Sequence, residues 1–244
     1  MKDEKEYPLT SFLQNNNIKL ETFIEMSLNG VLGLYDKDYI KYIKGKSQIK
    51  SHRYSYIRNH GKNHDIVYQD LWNLADKVID DIYYKEIKKH FFNSYTEKEY
   101  IGCHIWGATR NPFLYNSLWN VWYIPRYYSY LTDRDYGGNL GESFRNEIKN
   151  YIIKEFKKEI IEYNKYMIKN ANEFSKKIKK HFSSSDYMPE SKNRKKSLNY
   201  VSRQLVLINL SDREKDCLEI LDDNFEVIDE IKNVKNLKMK DYTI

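Results

Sequence analysis

Cysteine is scarce. The two present in 244 residues, Cys103 and Cys217, stand 114 positions apart. Neither belongs to a CxxC or CxxxC pair, so a four-cysteine zinc site is excluded and a disulfide framework is not expected. Long apolar runs are missing as well: no stretch approaches the roughly 18 apolar residues that cross a bilayer. The opening MKDEKEYPLT carries acids and lacks the apolar centre of a signal peptide. Together these features predict a reducing compartment, a cytoplasmic location and no membrane association. No internal repeat is visible. The length suits one large domain, or one domain with a small appended element, able to bury a sizeable core without staples.

Charge is plentiful but only mildly unbalanced, with 41 Lys and Arg against 35 Asp and Glu, a net of +6. Its distribution says more than its sum. Residues 145–196 hold 15 basic and 7 acidic side chains, a net of +8, whereas residues 201–244 hold 7 and 10, a net of −3. Such a basic segment suits either a phosphate-facing surface or an ordinary solvated helix.

Apolar residues at three-and-four spacing predict helices over 11–44, broken at Gly30 and Gly33. The loop SHRYSYIRNHGKNHD mixes His52, His60 and His64 with Arg53, Tyr54, Tyr56 and Arg58. That mixture suits phosphate contact and base stacking, and equally a solvated surface loop. Residues 66–92 repeat apolar positions near helical period, predicting an amphipathic packing helix that ends near His90. A second, longer amphipathic helix is predicted over 142–181, from Phe144, Ile148, Ile152, Phe156, Ile160 and Met167. Residues 184–199 read as a polar linker, and the short β-branched runs after it predict a few strands in a small acidic element over 200–244.

Between these lies CHIWGATRNPFLYNSLWNVWYIP, which holds three of the four tryptophans. Two strand-like runs, YIGCHIW and SLWNVWYIP, are joined by a loop with Gly107 and Pro112, and RYYSYLTD follows as a short helix-compatible run. The predicted order is strand, loop, strand, helix. The predicted class is therefore α+β: mostly helical, with an embedded ββα unit over 99–183 that includes the long basic helix, a helical region over 1–98 before it, and the small β element after it.

The quoted residues resemble the HNH, or ββα-metal, nuclease motif, in its bacterial xHIW or HHIFP form. His104, Ile105 and Trp106, Pro112 at plus eight, Asn120 at plus sixteen, and Ile124 with Pro125 fall on that family's ruler. The resemblance covers about forty residues. It implies that His104 is the general base that deprotonates the attacking water, and that Asn120 holds the loop and orients the histidine. It further implies one divalent ion, Mg or alternatively Mn, Ni or Zn, acting as Lewis acid on the scissile phosphate of DNA.

At the ligand positions the chain departs from the family. Cys103 stands where a histidine or aspartate usually precedes the base, and Tyr128 and Ser129 stand where a histidine usually follows the asparagine. Asp133 is the best-spaced oxygen donor, with Asp135 as a substitute. Arg110 and Arg126 flank the motif, and with Arg53, Arg58, Lys176 and Lys180 they are the candidate phosphate contacts. Symmetric duplex cutting would call for a homodimer. The alternative expectation is a degenerate descendant of the fold that binds nucleic acid or protein, with His104 and the tryptophans serving as core. A helical interaction protein unrelated to nucleases is the third, and it requires that the two runs do not pair as strands.

Overall fold

A computed structural model describes residues 8–47, 97–107, 111–115, 117–132, 138–183, 202–211, 217–232 and 242. Among the described residues the chain is α+β, mostly helical with two small antiparallel sheets. The amphipathic helix expected over 66–92, the histidine loop with Arg53 and Arg58, and the linker over 184–199 lie outside the described residues.

The first helical region is three helices: α1 (Pro8–Asn15), α2 (Leu20–Asn29) and α3 (Lys37–Ser47). Gly30 ends α2 as its C-cap. Asp36 starts α3, its carboxylate accepting the amides of Asp38 at 2.8 Å and Tyr39 at 3.2 Å, which satisfies donors that the first turn leaves open. Gly33, at φ +75°, makes the turn between them, and a Cβ there would lie 2.2 Å from the Tyr39 ring. Both the backbone sign and the space admit only glycine.

The two strand-like runs do pair. β1 (Tyr100–His104) and β2 (Val121–Pro125) form an antiparallel hairpin with Tyr100 opposite Pro125, Cys103 opposite Trp122 and His104 opposite Val121. Both strands are shorter than expected. β1 stops because Gly107 N–H turns back to the His104 carbonyl at 3.1 Å, and residues before β2 close a 3₁₀ turn in which Asn120 N–H meets the Ser117 carbonyl at 2.9 Å. The outer edge of β2 is covered by Leu32, whose amide donates to the Tyr123 carbonyl at 2.9 Å. A short α4 (Pro112–Tyr115) interrupts the loop, and a 3₁₀ segment (Arg126–Thr132) follows the hairpin.

The long helix α5 (Gly138–Ser183) is the spine of the fold. Its first turn meets the 3₁₀ segment so closely that a Cβ on Gly141 would lie 2.8 Å from the Leu131 carbonyl oxygen. Its middle packs Tyr163 against Trp119, with ring centroids 5.7 Å apart, and further on Phe113 of α4 sits 5.1 Å from Phe174. Phe144, Ile148, Phe156, Ile160, Met167 and Phe174 are wholly buried along one face. Burial of each such side chain contributes about 1.5–3 kcal/mol, which is why a helix this rich in lysine is held firmly. The helix kinks at Phe156 (φ −115°, ψ 24°), where α3 docks through a 3.0 Å ion pair from Lys44 to Glu155.

Beyond the linker, β3 (Val206–Ile208) and β4 (Cys217–Glu219) pair antiparallel, followed by α6 (Asp229–Lys232). Among the described residues these strands are short: 202–205 form a turn, and Val227 makes a single bridge to Leu221.

Candidate functional site

His104 ends β1 and is partly exposed. Side chains alternate across a hairpin. Tyr100, Gly102 and His104 therefore share one face with Val121, Tyr123 and Pro125, while Ile101 and Cys103 share the other with Trp122 and Ile124. The Tyr123 ring lies over Gly102, 3.6 Å from where a Cβ would stand.

Asn120 is wholly buried. Its carbonyl oxygen accepts the Trp106 amide at 2.9 Å and its amide nitrogen donates to the Leu114 carbonyl at 3.0 Å. Its own backbone carbonyl accepts the Ile105 amide at 3.0 Å. These bonds fasten the chain as it leaves His104 to the far end of the same loop. Asn120 therefore holds the main chain around His104, and its side-chain bonds go to backbone groups. Trp106, Trp119 and Trp122 pack in the core as expected; Trp106 and Trp119 meet edge to face at 5.6 Å, and the Trp122 indole N–H donates to the Trp119 carbonyl at 2.9 Å.

A second polar hub lies beside the first, and only its Asn111 is marked in the sequence. Asn111, wholly buried, accepts the amides of Phe113 and Leu114 at 3.1 Å each and so caps α4, while its amide nitrogen donates to the Tyr163 hydroxyl at 3.0 Å and the Gln204 carbonyl at 2.9 Å. Tyr163 in turn donates to the Val206 carbonyl at 2.7 Å. Its neighbour Asn164 exchanges hydrogen bonds with Ile208 and donates to the Tyr242 carbonyl at 2.7 Å. Asn before Pro at a helix start is a capping signal in Asn111–Pro112. Tyr163 and Asn164 sit in a lysine-rich helix, where no local pattern marks them.

Of the candidate metal ligands, Cys103 and Tyr128 are described, and Cys103 does not fit a divalent ion. Burial pushes the Cys103 thiol above its ordinary range, and a hydrogen bond with the Thr132 side chain only partly opposes this. A metal needs the thiolate. The thiol instead contacts the Ile101 carbonyl at 3.8 Å, and alternation turns Cys103 to the face opposite His104. The Tyr128 ring is engaged edge to face with Phe23 at 5.8 Å and Tyr127 at 4.5 Å. Ser129 donates its hydroxyl to the Arg126 carbonyl at 2.7 Å. Asp133 and Asp135 lie outside the described residues, as does Arg110. Among the described residues, no group of three His, Cys, Asp or Glu side chains converges as a metal site would require.

Arg126 is exposed, with its Nε donating to the Lys98 carbonyl at 2.5 Å, which ties the end of β2 to the chain entering β1. Lys176 and Lys180 are exposed near the C-terminal end of α5. Two other cations counted in the basic segment are not on its surface: Arg145 and Lys149 are buried, and Arg145 donates to the Leu131 carbonyl at 3.0 Å. Among the described residues, no helix is long and apolar enough to cross a membrane.

The family described as "Uncharacterised protein PM1201" matches residues 46–210, more than half of the chain, and the chain belongs to it. A similar relative is "Uncharacterized protein PM1201" of Pasteurella multocida (strain Pm70), 24% identical over 184 residues that span 70% of this chain and 83% of the relative. No solved structure matches significantly.

Proposed function

We propose that this member of the PM1201 family is an HNH-like endonuclease that hydrolyses DNA phosphodiester bonds in the cytoplasm, with His104 as general base. The observation that carries the reading is the lock at Asn120: the asparagine sixteen residues after the histidine is buried and grips the Trp106 amide and the Leu114 carbonyl, fixing the backbone on which His104 stands. The antiparallel pairing of β1 with β2, followed by the 3₁₀ segment, supports the same reading. A neutral imidazole nitrogen takes a proton from water as its oxygen bonds to phosphorus. The P–O bond to the leaving sugar oxygen breaks, that oxygen takes a proton from solvent water, and the imidazolium returns its proton to solvent. Partial exposure of His104 suits a base that must reach water.

A divalent ion, Mg or alternatively Mn, Ni or Zn, belongs to this reading with Asp133 and Asp135 as its candidate oxygen ligands, since Cys103 does not fit it. No step is derived through the ion. A homodimer would present two such sites to a duplex.

Cys103 on the face opposite His104, and Tyr128 and Ser129 where the family has a histidine, favour a second reading, in which the fold is kept for binding and hydrolysis has been lost. One experiment separates them. On the first reading, purified protein with Mg or Mn nicks plasmid DNA, and His104→Ala abolishes nicking while duplex binding persists. Binding without nicking by the unaltered protein supports the second reading, and nicking that survives His104→Ala removes His104 as base.

A further inference from the structure

We infer that the exposed face of α5 is a lysine ladder that lies lengthwise on duplex nucleic acid, with successive lysine groups meeting alternate phosphate backbones. The inference rests on the nucleic-acid part of the preceding reading and is independent of His104. Beyond the kink at Phe156, the exposed lysines of this face are Lys158, Lys165, Lys169, Lys176 and Lys180. Their steps of 7, 4, 7 and 4 repeat every eleven residues. Eleven residues make just over three whole turns, so at about 100° per residue all five fall within an arc of roughly 60°. Between Lys158 and Lys180 only Glu162, itself exposed, shares that arc. The face is opposite the one that buries Ile160, Met167, Phe174 and Ile178.

Spacing identifies the partner. At 1.5 Å per residue the ladder is about 33 Å long and its groups recur every ~16.5 Å. One turn of B-form duplex is about 34–36 Å, and a line along its surface crosses each of the two backbones once per turn, at a mean interval of about 17 Å. The grooves are unequal, about 12 and 6 Å wide, and the flexible lysine stems take up the difference. An anionic membrane would need an apolar face beside the cations. The apolar face of α5 is already spent on the core.

The experiment measures binding of the full chain to a 30-base-pair duplex across a salt series. Replacing Lys165, Lys169, Lys176 and Lys180 together by Ala lowers the slope of log affinity against log salt by about 3 to 4, since each lost phosphate contact removes ~0.9. The control removes the same charge elsewhere, at the exposed Lys19, Lys37, Lys41 and Lys157, and lowers the slope by less than half as much. Equal effects of the two sets, an unchanged slope in the ladder set, absence of duplex binding, or binding to phosphatidylserine vesicles in its place would overturn the ladder. Plasmid nicking by the unaltered protein is scored separately. Nicking with a ladder-independent slope sinks the ladder alone, and a ladder-dependent slope without nicking sinks the hydrolytic reading alone.

Discussion

Asn120 carries two side-chain bonds to main-chain groups in a site with no solvent to replace them. Asn120→Ala leaves the Trp106 N–H and the Leu114 carbonyl unsatisfied, at about 1–3 kcal/mol each when buried. The expected outcome is a fall of about 2–4 kcal/mol in stability by urea denaturation, with any nicking activity lost at temperatures where the variant remains folded. A variant of unchanged stability would mean that the loop does not depend on this lock. Cys103 gives a pH prediction. Its folded pKa is raised by burial, so the native state keeps a proton that the unfolded chain gives up near the ordinary value of about 8.5. The stabilisation is whole below that value and is lost as pH rises through the folded pKa. Iodoacetamide should alkylate Cys103 in the native protein more slowly at pH 8 than in urea, with the native rate climbing at higher pH. An equal or faster native rate would show a thiolate and revive it as a ligand.

At the scale of elements, α5 joins the β1–β2 hairpin to the β3–β4 hairpin through Tyr163 and Asn164. Tyr163→Phe removes the donor to the Val206 carbonyl and the acceptor for Asn111, and should cost about 1–3 kcal/mol. Asn164→Ala should additionally speed hydrogen exchange at the Ile208 amide, whose acceptor is the Asn164 carbonyl at 2.9 Å. If that amide keeps its protection, β3 is held by packing alone. Helix and hairpin positions were legible in the sequence because apolar period and glycine breaks are local signals: Phe144 through Met167 mark one face of α5, and Gly107 marks the end of β1. The hub formed by Asn111 and Asn164 was not, because they are satisfied by residues 93 and 78 positions away. Arg145 and Lys149 misled for the same reason, since a cation's burial depends on what the next element brings to it.

For the whole molecule, the α+β architecture was readable, and so was the hairpin with His104 and Asn120 close to its loop end. Spacing alone could not give the state of Cys103, because its thiol is set by burial and by Thr132, 29 positions away. The chain's chemistry thus divides between a fixed hairpin that presents an imidazole and a helix that presents lysines on the face opposite the core. Its central claim is that His104 does chemistry on a phosphodiester. The most direct test is chemical rescue: plasmid nicking by His104→Ala, measured with and without added imidazole beside the unaltered protein. The account predicts a loss of about 10²- to 10⁴-fold on removing the imidazole side chain, partly restored by free imidazole. Nicking by His104→Ala at the unaltered rate, with no response to imidazole, would contradict it.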